Sequence, residues 1–88
     1  MPTHLLSRQV VDFVQSLRGI ELYKLPGIAE TIEWTRALLA LDAVALEPET
    51  VGNTLGVLLK YQDDIARLDG TKVKALLDDV KSELRAAE

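Results

Sequence analysis

Two adjacent carboxylate pairs, Asp63-Asp64 and Asp78-Asp79, and a lone histidine, His4, are the residues whose types invite a metal or acid–base reading. A metal ion needs ligands that converge, whereas neighbours on a helix project about 100° apart. The pairs therefore suit a solvated helix face on which Lys60, Arg67, Lys74 and Lys81 stand at ion-pairing spacing. His4 cannot build a metal centre alone, and the chain has no cysteine. Phosphate transfer calls for a Gly-rich loop ending in Lys-Ser or Lys-Thr, whose amides cradle the phosphates. Gly19, Gly27, Gly52, Gly56 and Gly70 fit no such pattern, and no nucleophile stands beside a base in a recognisable motif. The expectation is a chain without catalytic residues, without a metal site and without activity of its own.

Bulk composition narrows the class further. At 88 residues, 48% of them hydrophobic and 27% charged, the chain supports one folded domain, residues 1–88, around one core. A formal net charge of −4 argues against nucleic acid as a partner, because phosphate binding needs clustered Lys and Arg. The start, Met1-Pro2-Thr3-His4-Leu5-Leu6, lacks the basic and apolar regions of a signal peptide, and no apolar run reaches membrane-spanning length. A cytoplasmic protein with no membrane partner is expected.

The elements that must position any site follow from apolar spacing. Leu6, Val10, Phe13, Val14 and Leu17 recur at three- and four-residue steps and predict a helix over about 3–18, with Thr3 as cap and Gly19 in a left-handed stop. Ile20–Gly27 reads as an ordered, half-buried connection ending in the Pro26-Gly27 turn. The next segment, about 28–41, carries two apolar stripes: Ile28, Ile32, Thr35 and Leu39, and beside them Trp34, Leu38 and Leu41. A helix apolar on two sides is expected to be central, with Trp34 in the core.

Pro48 and Glu49 suit the first turn of a third helix, and Val51, Leu55, Leu58, Leu59, Gln62 and Ile65 carry its periodicity to about residue 68. Gly52 and Gly56 on it mark either a close helix–helix approach or a contact surface for a neighbour. After Asp69-Gly70-Thr71, the stripe Val73, Leu76, Leu77, Val80 and Leu84 defines a fourth helix over about 71–86. Four helices and no alternating strand pattern predict an all-α, four-helix bundle-like fold. Tyr23 and Tyr61, each beside a lysine, are either structural or interface residues.

The run Leu22-Tyr23-Lys24-Leu25-Pro26-Gly27-Ile28-Ala29-Glu30-Thr31-Ile32-Glu33-Trp34-Thr35-Arg36-Ala37-Leu38 resembles a segment of the MoxR family of AAA+ ATPases, in the branch associated with carbon monoxide dehydrogenase maturation. Val10–Arg18 before it and Thr54–Asp64 after it are similar to flanking parts of the same C-terminal lid, so the resemblance covers most of the chain. It implies a lid that follows a P-loop core, closes over Mg-bound ATP and touches neighbouring ring subunits. The whole machine would act as a chaperone that remodels a client protein or inserts a cofactor. A lid severed from its core would carry nucleotide-state sensing and subunit contacts but hold no ATP alone.

By the same resemblance, Pro26, Gly27 and Ile28 are the candidate nucleotide contacts, because the turn before a lid helix approaches the nucleotide. Lids of this superfamily commonly place an arginine near the start of a helix to meet the γ-phosphate. The matching place here holds Glu30, which would repel phosphate, and Arg36 lies six residues on, roughly 120° away from Glu30 around the helix. Glu30 and Arg36 complete the candidate set. The residues taken alone leave open a second reading, a freestanding helical module that holds a partner segment or its own copy in an apolar groove between helices, with the Gly52/Gly56 face and the last helix as candidate contacts.

Overall fold

In the computed structural model, which describes residues 2–87 and the side chains of residues 5–82, the chain is all-α. Its helices are α1 (Pro2–Ser16), continued by a 3₁₀ turn at Leu17–Gly19, α2 (Ile28–Ala40), α3 (Pro48–Leu58), α4 (Gln62–Arg67) and α5 (Gly70–Ala87). The side chains of Thr3, His4 and Leu84, and with them the expected Thr3 cap, lie outside the described residues.

One apolar face of each long helix builds the core. Leu6, Val10, Phe13 and Leu17 from α1 and its turn meet Trp34 and Leu38 from α2, Val51, Leu55 and Leu58 from α3, and Val73, Leu77 and Val80 from α5. Trp34 is fully buried and its ring lies tilted against Phe13, centroids 5.4 Å apart. Its indole N–H donates to the Thr54 hydroxyl at 2.7 Å, and that hydroxyl donates on to the Thr50 carbonyl at 2.8 Å. A buried donor without a partner costs about 1–3 kcal/mol, so this relay is what lets Trp34 fill the centre. Gln9, also buried, accepts a hydrogen bond from the Leu46 amide at 2.8 Å and holds the α2–α3 connection over the core.

The helix ends have local causes. Pro48 occupies the first position of α3 with Glu49 beside it in the first turn. Asp69 caps α5, its carboxylate accepting from the Lys72 amide at 2.9 Å. At the C-terminus of α2, Asp42 takes φ 58°, and the amides of Asp42 and Ala43 donate to the carbonyls of Leu39 and Leu38, each at 3.0 Å. This is the Schellman arrangement, with aspartate in the left-handed position that glycine usually fills.

The structure departs from the sequence-based expectations at five places. The helix expected over 48–68 is two helices, α3 and α4, separated by Leu59-Lys60-Tyr61, with Leu59 (φ −112°, ψ 135°) and Tyr61 (φ −104°, ψ 135°) extended. The break turns α4 so that Asp64 reaches the 20–27 connection. Asp64 is therefore not on a solvated face as its neighbour Asp63 is: it is fully buried.

Gly19 does not adopt a left-handed stop; no described glycine has positive φ, and the chain leaves the 3₁₀ turn through extended Ile20. Gly52 and Gly56 mark no close approach, since a Cβ on either would meet nothing within 4 Å. Finally, α2 is not central. Trp34 and Leu38 are buried, but Ile28 is 83%, Ile32 49% and Leu39 40% exposed, so one of its two apolar stripes is uncovered. Among the described residues no helix is long and apolar enough to cross a membrane.

Candidate docking groove

Helices α1 and α2 run antiparallel, and the Leu25-Pro26-Gly27 turn closes one end of the furrow between them. Val11, Val14 and Arg18 form one wall and Ile28, Thr31 and Ile32 the other, around an open hollow of about 650 Å³. A smaller hollow of about 320 Å³ extends it toward Thr35 and Arg36, sharing Val11, Thr31 and Ile32. Val11, 49% exposed, lies off the buried stripe of α1, and together with Leu25 and the free stripe of α2 it makes a continuous apolar surface. The walls are side chains on regular helices, so the groove is preformed, and its apolar lining suits apolar groups of a partner.

The end wall is held from a distance. The carboxylate of Asp64 accepts from the amide of Tyr23 at 2.8 Å and of Lys24 at 3.1 Å, and Arg67 donates to the Glu21 carbonyl at 2.8 Å. The rings of Tyr23 and Tyr61 lie tilted against each other, centroids 6.1 Å apart, and the Arg67 guanidinium lies 6.0 Å from the Tyr23 centroid. These contacts supply the partners that a connection without helix or strand cannot supply itself. Both tyrosines stay at least half exposed, at 71% and 51%.

Of the candidate site residues, Pro26, Gly27 and Ile28 come together as lining of the groove. Glu30 does not line it. Its carboxylate curls back over the first turn of α2, 3.2 Å from where a Gly27 side chain would begin, with Lys60 Nζ at 3.9 Å. The backbone amide of Glu30 itself holds this carboxyl below its ordinary range, with Lys60, Lys24 and the Gly27 amide helping and desolvation opposing. Glu30 is the third residue of α2, so its carboxylate lies at the positive end of the helix dipole, beside an N-cap, Gly27, that has no side chain to give. The anion that a helix start attracts is thus already provided by the chain.

Arg36 lies toward the other end of the groove, in the smaller hollow, in an exposed pair with Glu33 at 3.7 Å. The structure thus gives Glu30 and Arg36 different partners and different ends of α2. The residues that sequence reasoning missed are Val11, Val14, Arg18, Leu25 and, as an uncovered side chain, Ile32. The signal was present in the Ile28, Ile32 and Leu39 stripe of α2 and in Val11, an apolar residue outside the α1 stripe.

The alternative contact surface on the last helix is not free: Val73, Leu77 and Val80 are consumed in the core. Among the described residues no group of three or more His, Cys, Asp or Glu side chains could hold a metal ion. Compared with family models, curated proteins and solved structures, the chain finds no match in any of the three.

Proposed function

We propose that this chain is the helical lid of a MoxR-type AAA+ ATPase: a cytoplasmic, non-catalytic domain that docks through the α1/α2 groove and reports nucleotide state to a P-loop core and its ring neighbours. The one-sided burial of α2 carries the reading. A helix with two apolar stripes and one left open belongs beside another surface, and the open stripe begins at Pro26-Gly27-Ile28, the turn that the resemblance puts next to the nucleotide. ATP and Mg would be held by the core, whose phosphate loop supplies most of the binding energy. Because the Glu30 carboxylate already stands at the start of α2, the lid senses the nucleotide by apolar packing, without an arginine on the γ-phosphate. In the assembled machine closure of the lid over the nucleotide drives remodelling of a client or insertion of a cofactor.

The test is reconstitution. The chain is added to a MoxR-type P-loop core lacking its lid, and co-sedimentation and ATP turnover are followed. The expected result is association with raised turnover, both lost on Ile28→Asp, with no Mg-ATP binding at millimolar or tighter strength by the chain alone. Tight Mg-ATP binding by the chain alone, or no association with the core, overturns the reading. In the latter case a freestanding helical interaction module remains, a reading favoured by the self-neutralised start of α2. An in-frame P-loop encoded upstream of Met1 supports the lid.

A further inference from the structure

The ionisable residues lining the groove and its extension are unlike the rest of the chain. With 14 Asp and Glu against 10 Lys and Arg the protein is acidic, yet the groove and hollow are lined by Arg18 and Arg36 and by no carboxylate. The two arginines stand at opposite ends. Arg18 sits with Gly27 and Ile28, and Arg36 with Ser7 and Thr35. From Ile28 to Arg36 is eight residues of α2, about 12 Å along its axis at ~1.5 Å per residue, or roughly two helical turns. Between them run Ile28, Ile32 and Val11.

Neither arginine is committed to a strong partner. Among the described residues Arg18 has no ion pair, and the Arg36–Glu33 pair is 74% and 64% exposed, in the range where such pairs contribute little. We infer that the groove receives an acidic amphipathic helix of a partner protein, with an apolar stripe facing Ile28 and Ile32 and carboxylates two turns apart, at i and i+7 or i+8, opposite Arg18 and Arg36. The inference rests on the docking reading above and specifies the chemistry of what docks. A concave furrow walled by helices favours a helix over a flat surface, and two arginines favour carboxylates, which they can bind through paired N–H groups.

The test uses the full ¹⁵N-labelled chain and two synthetic helical peptides. One carries a leucine stripe with glutamates about two turns apart; in the other, lysines replace the glutamates. The glutamate peptide is expected to shift the amide signals of Val11, Arg18, Ile28 and Ile32. It should bind about fivefold more tightly than its lysine counterpart, as two exposed ion pairs of about 0.5 kcal/mol each require. The Arg18→Glu/Arg36→Glu variant should reverse the preference; both side chains are exposed, so its fold is unaffected. Equal binding of both peptides in the groove overturns the acidic assignment and leaves the docking reading standing. Failure of both peptides to shift groove residues overturns the acidic assignment and the docking reading together. Saturable binding of the same residues to phosphatidylglycerol–phosphatidylcholine vesicles, stronger than to the glutamate peptide, replaces the protein helix with a membrane surface.

Discussion

The buried carboxylate of Asp64 accepts a hydrogen bond from the backbone amide of Tyr23 at 2.8 Å, across 41 residues of sequence. With the Lys24 amide as second donor, Asp64 is the main polar tie between α4 and the 20–27 connection. Removing it leaves two amides without partners. Asp64→Ala is expected to cost about 3 kcal/mol in urea unfolding, since hydrogen bonds to charged groups contribute about 1.5–3 kcal/mol. Hydrogen exchange at Tyr23 and Lys24 should accelerate more than in the core of α1. Unchanged exchange at those amides would sink this account.

The Trp34–Thr54 relay predicts a non-additive pair. Thr54→Val leaves the indole N–H buried and unpartnered and should cost about 1–3 kcal/mol. Trp34→Phe removes the donor along with packing against Phe13. In the double variant the Thr54→Val penalty should shrink by about 1 kcal/mol, measured as the coupling energy of a double-mutant cycle.

Gly52 offers the opposite sign. It sits inside α3 with open space where a side chain would be, so Gly52→Ala should stabilise by about 1 kcal/mol, with unchanged circular dichroism. A loss of stability would mean that the helix is crowded there after all.

Glu30 sets a pH dependence. Its carboxyl is held below its ordinary value of 4.5 in the folded chain, so its contribution is fully present above that value and is lost as pH falls through the depressed one. Glu30→Gln should therefore flatten the fall in stability on the acid side while leaving the rest of the pH profile alone. Urea midpoints measured from neutral pH down to about 3 would show it.

Much of the fold is legible in the chain because burial follows three- and four-residue spacing. The faces of α1 and α5, Pro48 at the start of α3 and Trp34 in the core are all of this kind. The break at Leu59-Lys60-Tyr61 is hidden, since no Gly or Pro marks it and Leu55, Leu58 and Ile65 keep helical period across it. The break goes with a tertiary contact, Asp64 to the Tyr23 and Lys24 amides, which no local pattern encodes. Asp64 looks like its exposed neighbour Asp63 for the same reason. The groove is half legible: two apolar stripes on α2 are plain, but periodicity alone does not tell which one the rest of the chain covers.

The six-residue α4 is too short to be a stable helix by itself, and the connection it grips has no regular structure of its own. Each owes its order to the other. Leu25 and Pro26, which close one end of the groove, follow directly after Tyr23-Lys24, so the shape of that end is set by a side chain on α4 far along the chain. A substitution in α4 that touches no partner should therefore act at a distance, slackening the end wall and weakening docking while the helical walls of the furrow stay in place.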